Sequence, residues 1–284
     1  MLRDGGRRDS GLEARPTGDV NRTIAGHPAG AGRGDRKGED RMSKPATVGC
    51  IKPTRNSGSH GDLERLLPDG IATIVRHFDI RHGTLEEFTE VMAGYEEAVG
   101  VLAAAGVDLI HPEGTPPFML RGFAGEREIV TRWEAAHGIP VFTSAMSQAD
   151  ALRALGIERF VGVGYDFEDM GIVAQYFRDA GFDVLDLDRP RGIPWEEIND
   201  LSSARIYELI TELHGRHPRA QGIYIQGSKW RVLDIVEDLE RALGVPVVHP
   251  VTARCWEIQK RLRIEQARSG YGRLLAELPD LHGA

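Results

Sequence analysis

Four short segments carry side chains that could do chemistry together. Pro53-Thr54-Arg55-Asn56-Ser57-Gly58-Ser59 clusters small hydrogen-bonding groups. It reads either as a loop that cradles an anion or as a capping turn before a helix over Asp62–Leu67. His111-Pro112-Glu113-Gly114-Thr115-Pro116-Pro117-Phe118 sets an imidazole and a carboxyl beside a hydroxyl, with a glycine for close backbone approach and two prolines that fix the shape. Gly164-Tyr165-Asp166 adds a phenol, and Gln226-Gly227-Ser228-Lys229-Trp230 adds an amide, a hydroxyl and an ammonium. Converging on one cleft, such donors could hold a carboxylate and stabilise an enediolate or a similar oxyanion. Lys229, Glu113 and His111 are the acid–base candidates, since burial can tune the proton affinity of each.

The two cysteines stand elsewhere. Cys50 falls inside an apolar run and Cys255 beside Trp256 in a helical stretch, positions that suit small buried hydrophobes better than catalytic thiolates. They make no metal-ligand spacing, and the ten histidines form no HExxH pair, so no zinc is expected. The glycine-rich stretches fit neither a P-loop nor a GxGxxG fingerprint, so no nucleotide cofactor is expected, and none of any other kind. Two cysteines also exclude a disulfide scaffold and suit a reducing cytoplasm.

The elements that must position these groups alternate from Ala46 onward between short β-branched runs and amphipathic stretches, the pattern of parallel strands joined by helical crossovers. The runs predict strands over Thr47–Lys52, Ala72–Asp79, Val107–His111 and Pro140–Thr143, then Arg159–Gly164, Asp183–Leu187, Gly222–Gln226 and Pro246–His249. One helix opens at a Thr84/Glu87 capping box and carries the stripe Phe88, Val91, Met92, Tyr95, Val99 and Leu102 to Gly106. Others are expected from Ser147…Asp150 through Leu155, and over Glu168–Ala180, Ser203–His214, Val232–Leu243 and Thr252–Leu262.

The two sets of strands repeat each other. Gly138-Ile139-Pro140-Val141 recurs as Gly244-Val245-Pro246-Val247, Val48–Lys52 corresponds to Val161–Gly164 at an offset of about 113 residues, and Val107-Asp108-Leu109-Ile110 to Gly222-Ile223-Tyr224-Ile225 at nearly the same offset. The expected fold is therefore α/β, with two pseudosymmetric four-stranded parallel-sheet halves and the active site between their strand ends. The halves are placed at 42–145 and 146–264, with a C-terminal extension over 265–284 and a disordered tail over 1–41. That tail holds nine Arg/Lys, seven Asp/Glu and nine Gly with almost no aliphatic pattern, and Met42 is an alternative start.

Charge narrows the partners. The 284 residues carry a net −8, and residues 42–284 alone carry thirty-six acids against twenty-six bases. Such a field repels nucleic acid and anionic membranes, and no apolar run reaches the length of a membrane-spanning helix. A small molecule is the expected partner, and a homo-oligomer is possible for exposed faces of this kind.

From about Thr47 to Leu262 the chain resembles the aspartate/glutamate racemase superfamily, and within it the maleate cis-trans isomerase and arylmalonate decarboxylase branch. Val48-Gly49-Cys50-Ile51-Lys52-Pro53 through Asn56 resembles the family's first strand and its substrate-binding Asn, and Tyr165 its carboxylate-binding Tyr. Ala253-Arg254-Cys255-Trp256 resembles its final core helix. Gly114-Thr115 resembles the decarboxylase's dioxyanion-hole stretch, with Pro116 in place of its Ser. Gln226-Gly227-Ser228 stands where the second family Cys belongs, Gly227 being the nearest equivalent. The resemblance implies a cofactor-independent enzyme acting on a small carboxylate bound by Asn56, Gly114, Thr115, Tyr165, Gly227 and Ser228. With no cysteine at either loop it implies lyase-type decarboxylation. The alternatives are a non-thiol isomerase or racemase, pairing Lys229 or Glu113 with His111 or His249, and an inactive carboxylate-binding protein.

Overall fold

The computed structural model describes residues 22–23, 45–54, 58–80, 84–165, 170–193, 195–198, 200–227 and 229–282. Eight strands form two sheets. The first runs β1 (Arg22–Thr23), β3 (Ile71–His77), β2 (Ala46–Lys52), β4 (Leu109–Pro112), and the second β6 (Asp183–Asp188), β5 (Arg159–Gly164), β7 (Gly222–Gln226), β8 (Val247–Val248). Every pairing is parallel except that of β1, which lies antiparallel on the edge of β3.

The expected strand Pro140–Thr143 shrinks to a single bridge between Val141 and Ile110. Its flanks explain this. Pro140 has no N–H to give to a ladder, and Thr143 already caps α5 (Ser144–Ala154), its hydroxyl accepting from the Met146 N–H at 3.2 Å. That cap also moves the start of α5 ahead of the expected Ser147. β8 is trimmed in the same way by Pro246 and by His249, which caps α10 (Pro250–Leu262) in place of the expected Thr252. The stretch from Val232 opens as a 3-10 turn over Leu233–Ile235 before α9 (Val236–Leu243).

The repeat extends to single hydrogen bonds. Glu134 accepts the Val141 N–H at 2.8 Å, and Glu240 accepts the Val247 N–H at 2.9 Å. Ile110 donates to the Pro140 carbonyl as Ile223 does to that of Pro246. Gly138 and Gly244 close the preceding helices, α4 (Gly122–His137) and α9, in the same left-handed cap.

The inner strands β2, β5 and β7 are covered on both faces, which is why they read as nearly unbroken apolar runs. Alternation along β2 sends Ile51 to an outer core with Tyr95, Val99 and Leu102 of α2 (Leu85–Ala104), while Val48 and Cys50 face inward. The second sheet has its own outer core around Val161, Ile206 and Ile223. The largest core lies between the halves and draws on both, with Cys50, Leu109 and Phe142 meeting Phe160, Tyr224, Val248 and Trp256. The symmetry-related helices α5 and α10 pack on each other there. The C-terminal stretch closes over α10, burying Leu274, Leu275, Leu278 and Leu281. Among the described residues no helix is long and apolar enough to cross a membrane.

One carboxyl is sealed where α4 meets α6 (Gly171–Asp179). Glu126 has no exposed surface and accepts from the hydroxyls of Thr143 and Tyr176. Burial outweighs both donors and pushes it up to about 7. The native state therefore holds this proton more tightly than the unfolded chain does. Its contribution to stability is greatest below the ordinary carboxyl range and declines as pH rises through 7, by up to about 3 kcal/mol. Urea unfolding of Glu126→Gln and the parent between pH 5 and 8 should show the variant gaining on the parent as pH rises. A difference constant with pH would show that this carboxyl does not titrate there.

Candidate active site

The carboxyl ends of β2, β4, β5 and β7 bring the chemistry-bearing loops to one end of the sheets. Asn56 and Ser228 lie outside the described residues.

After β4 the chain reaches Glu113 and Gly114, then the short helix α3 (Thr115–Met119). Tyr95 donates its phenol to the Glu113 carbonyl and pins the loop. Gly114 takes φ 104°, and a Cβ there would stand 3.0 Å from the Tyr95 oxygen and 3.2 Å from Pro53. Only glycine suits both the dihedral and the space. Thr115 is buried beside it.

In the second half, Tyr165 follows β5, buried and tilted against Trp230 with ring centroids 4.8 Å apart. Its oxygen accepts the Lys229 N–H at 3.2 Å. Trp230 is anchored by its indole N–H to the Ile198 carbonyl at 2.7 Å. A Cβ on Gly227 would stand 2.6 Å from the Trp230 ring and 2.9 Å from that of Tyr165. Gly114 and Gly227 hold the same place in the repeat, the first confined by the Tyr95 oxygen and Pro53 and the second by the rings of Trp230 and Tyr165. Lys229 is half-buried at the same loop, and no ion pair holds its ammonium among the described residues.

Behind these loops lies a cluster of charged groups. One Glu113 oxygen, Oε2, lies 2.7 Å from Arg254 Nη1 in an ion pair and accepts from Lys52 Nζ at 3.1 Å. Burial alone would raise the Glu113 carboxyl, but Arg254 and then Lys52 outweigh it and hold the group well below the usual range. Glu113 is thus an ionised, inward-turned anchor. Its Oε1 stands 3.8 Å from His60 Nδ1.

Two histidines flank the cluster, both neutral. His111 stacks on Phe142 at 4.3 Å and donates from Nδ1 to the Phe142 carbonyl at 3.0 Å, which leaves Nε2 unprotonated. His249 accepts the Val251 N–H on Nδ1 at 3.3 Å, so its proton sits on Nε2, close to the Gly227 backbone but without a formed bond. Burial drives both down to about 3, Arg254 pushing in the same direction.

Cys50, His60 and Glu113 bring three donor atoms within 4.8 Å of one another. With Lys52 and Arg254 already on the carboxylate, a divalent cation there would be repelled, and the set is better suited to hydrogen bonding. A separate groove of about 680 Å³ lies at the edge of the second half, lined by Met170, Arg178, Asp186, Asp188 and Arg189 among others. It contains none of the groups above.

The structure thus joins Glu113, Gly114 and Thr115 after β4 and packs Tyr165, after β5, against Gly227 and Lys229, after β7, with His111 turned into the shared core. Lys52, His60, Arg254 and Trp230 are parts of the site that the sequence reading passed over. One signal was available for Lys52: a lysine closing a strand buried on both faces demands a counter-ion.

The arylmalonate decarboxylase family model matches residues 48–275, from β2 to the helix after α10. The chain belongs to this family. It is 27% identical over 239 residues to the arylmalonate decarboxylase of Bordetella bronchiseptica, covering 84% of this chain and 99% of that protein. Among solved structures, the maleate isomerase of Pseudomonas putida superposes with a TM-score of 0.75 at 21% identity, over 83% of this chain and 100% of its own. The Nocardia farcinica maleate cis-trans isomerase bound to TRIS gives 0.74 at 20%, over 82% and 98%. Those two likenesses establish the fold. The family match also runs past Leu262 into the C-terminal stretch, in keeping with the leucines that stretch adds to the shared core.

Both thiols are sealed. Burial pushes the Cys255 thiol up to about 12 and that of Cys50 higher still. An aromatic disulfide reagent should therefore label neither in the native protein and both after denaturation. Rapid labelling of one thiol in the folded state would show an access path that this packing denies.

Proposed function

We propose that this protein is a cofactor-independent enzyme that decarboxylates a small malonate-type acid through an enediolate-like intermediate. The observation that carries the reading is the pair Gly114 and Gly227: matched strand-end positions that disfavour a side chain, one through its positive φ beside Tyr95 and Pro53 and the other through the Trp230 and Tyr165 rings, with both cysteines buried elsewhere and protonated. Isomerisation or racemisation through a thiol lacks its nucleophile or base at these loops. Loss of carbon dioxide needs no nucleophile.

In this reading the retained carboxylate is bound by the Thr115 hydroxyl, the Tyr165 phenol and backbone N–H groups, with Asn56 and Ser228 as further ligands. The C–C bond to the departing carboxylate breaks, its electron pair enters the retained carboxyl, and the enediolate is stabilised by those donors. A proton must then reach the α-carbon. Glu113 is ionised, and His111 is neutral with its only proton committed to Phe142, so neither has one to give. Lys229 is the proposed donor, recharged from water after each turnover.

Proton NMR in deuterated water should show an aryl- or alkyl-substituted malonate losing carbon dioxide and gaining one deuterium at the α-carbon, with maleate unchanged. Conversion of maleate to fumarate would favour the non-thiol isomerase. Tight binding of an acid with neither exchange nor turnover would identify a binding protein. Lys229→Met should lower turnover by about 10²-fold or more while binding changes little, whereas an unchanged rate removes Lys229 from the mechanism. Tyr165→Phe should weaken carboxylate binding about three- to tenfold, and equal affinity by calorimetry would exclude that role.

A further inference from the structure

Three charged side chains lie buried directly behind the strand-end loops, and only one of them is an acid. Lys52 is 2% exposed, Arg254 1% and Glu113 4%. Both cations converge on the same carboxylate oxygen. Among the described residues the neighbouring groups supply no compensating charge. The Cys50 thiol and the Tyr95 phenol are pushed up and stay protonated, and the rings of His111 and His249 are neutral. Glu64, the next carboxylate, is a third exposed and lies 3.4 Å from His60. Among the described residues the cluster therefore holds one positive charge in excess, and Arg254 Nη2 has no hydrogen-bond partner.

A buried, uncompensated cation costs several kcal/mol, so its location matters. Lys52 directly precedes Pro53 and the Asn56 loop, and Glu113 directly precedes Gly114 and Thr115. Arg254 is close enough to His249 to lower its proton affinity, and His249 in turn faces the Gly227 backbone. The excess charge thus lies behind the loops assigned to the retained carboxylate.

We propose that Lys52, Glu113 and Arg254 form a positioning set whose single excess positive charge, fixed behind the Gly114 and Gly227 loops, selects a dicarboxylate dianion and favours its conversion to the enediolate. This rests on the decarboxylase reading above. As the C–C bond breaks, one carboxylate leaves as neutral carbon dioxide and its charge moves onto the retained carboxyl, which becomes the doubly charged enediolate until Lys229 protonates carbon. A charge fixed behind that carboxyl acts more strongly on the transition state than on the substrate.

A charge ladder tests this. Lys52→Met cancels the excess, whereas Lys52→Met/Glu113→Gln restores it through Arg254 alone. On an aryl-substituted malonate, the single variant should lose tenfold or more in kcat with a smaller change in KM, and the double variant should recover most of that loss. A merely structural role makes the double variant at least as impaired as the single, and that result overturns the proposal. Should either variant fail to fold, calorimetry on the parent decides: malonate should bind at least tenfold more tightly than propionate, and equal affinities overturn the proposal. A parent that releases carbon dioxide from no malonate defeats the decarboxylase reading, and the malonate–propionate comparison then judges the charge on its own.

Discussion

A carboxylate enclosed in protein stays ionised only if cations are brought to it, and the centre of this molecule is arranged around that requirement. Glu113 collects Lys52 from its own sheet and Arg254 from the last long helix of the other half. The ion cluster is thus an inter-half contact as well as a local one. It ties β4 to α10 at the point where the Gly114 loop begins, and the apolar core shared by the halves surrounds it. Removing the carboxylate would leave two buried cations that the surrounding hydrocarbon cannot solvate.

The two halves repeat in backbone and differ in chemistry. At the offset that superposes the strands, Glu113 corresponds to Gln226, and Lys52 to Tyr165. One half places an ion pair at the strand ends; the other places an amide, a phenol and an indole. Duplication gives the two sets of strand ends similar backbones, and substitution at these few positions leaves one set charged and the other neutral and aromatic.

Most of the architecture was legible because it rests on local patterns. The Thr84/Glu87 capping box, the glycine-closed helices and the apolar runs of β5 and β7 are each decided within a few neighbouring residues. Pro140–Thr143 misled because β-branched and aromatic residues signal a strand, while the proline at one end and the cap at the other leave room for a single bridge. The loops of the site could be located from strand ends alone. What could not be read is which way a charged side chain turns. Glu113 looks as available as Lys229 in the sequence, and its commitment to Arg254 spans 141 positions that no local pattern connects. Cys255, whose thiol donates to the Leu66 carbonyl 189 positions away, shows the same limit.

The contact between Gly227 and Trp230 also bears on how this chain could change. Any side chain at 227 collides with an indole that is itself held in place by Ile198. A cysteine arriving there alone would disrupt the loop before it could act, whereas a smaller residue at 230 would first have to open the space. The two positions are epistatic, and the order of substitutions decides whether the intermediate survives. A single-mutation route to a thiol at position 227 is therefore closed by the packing of Trp230.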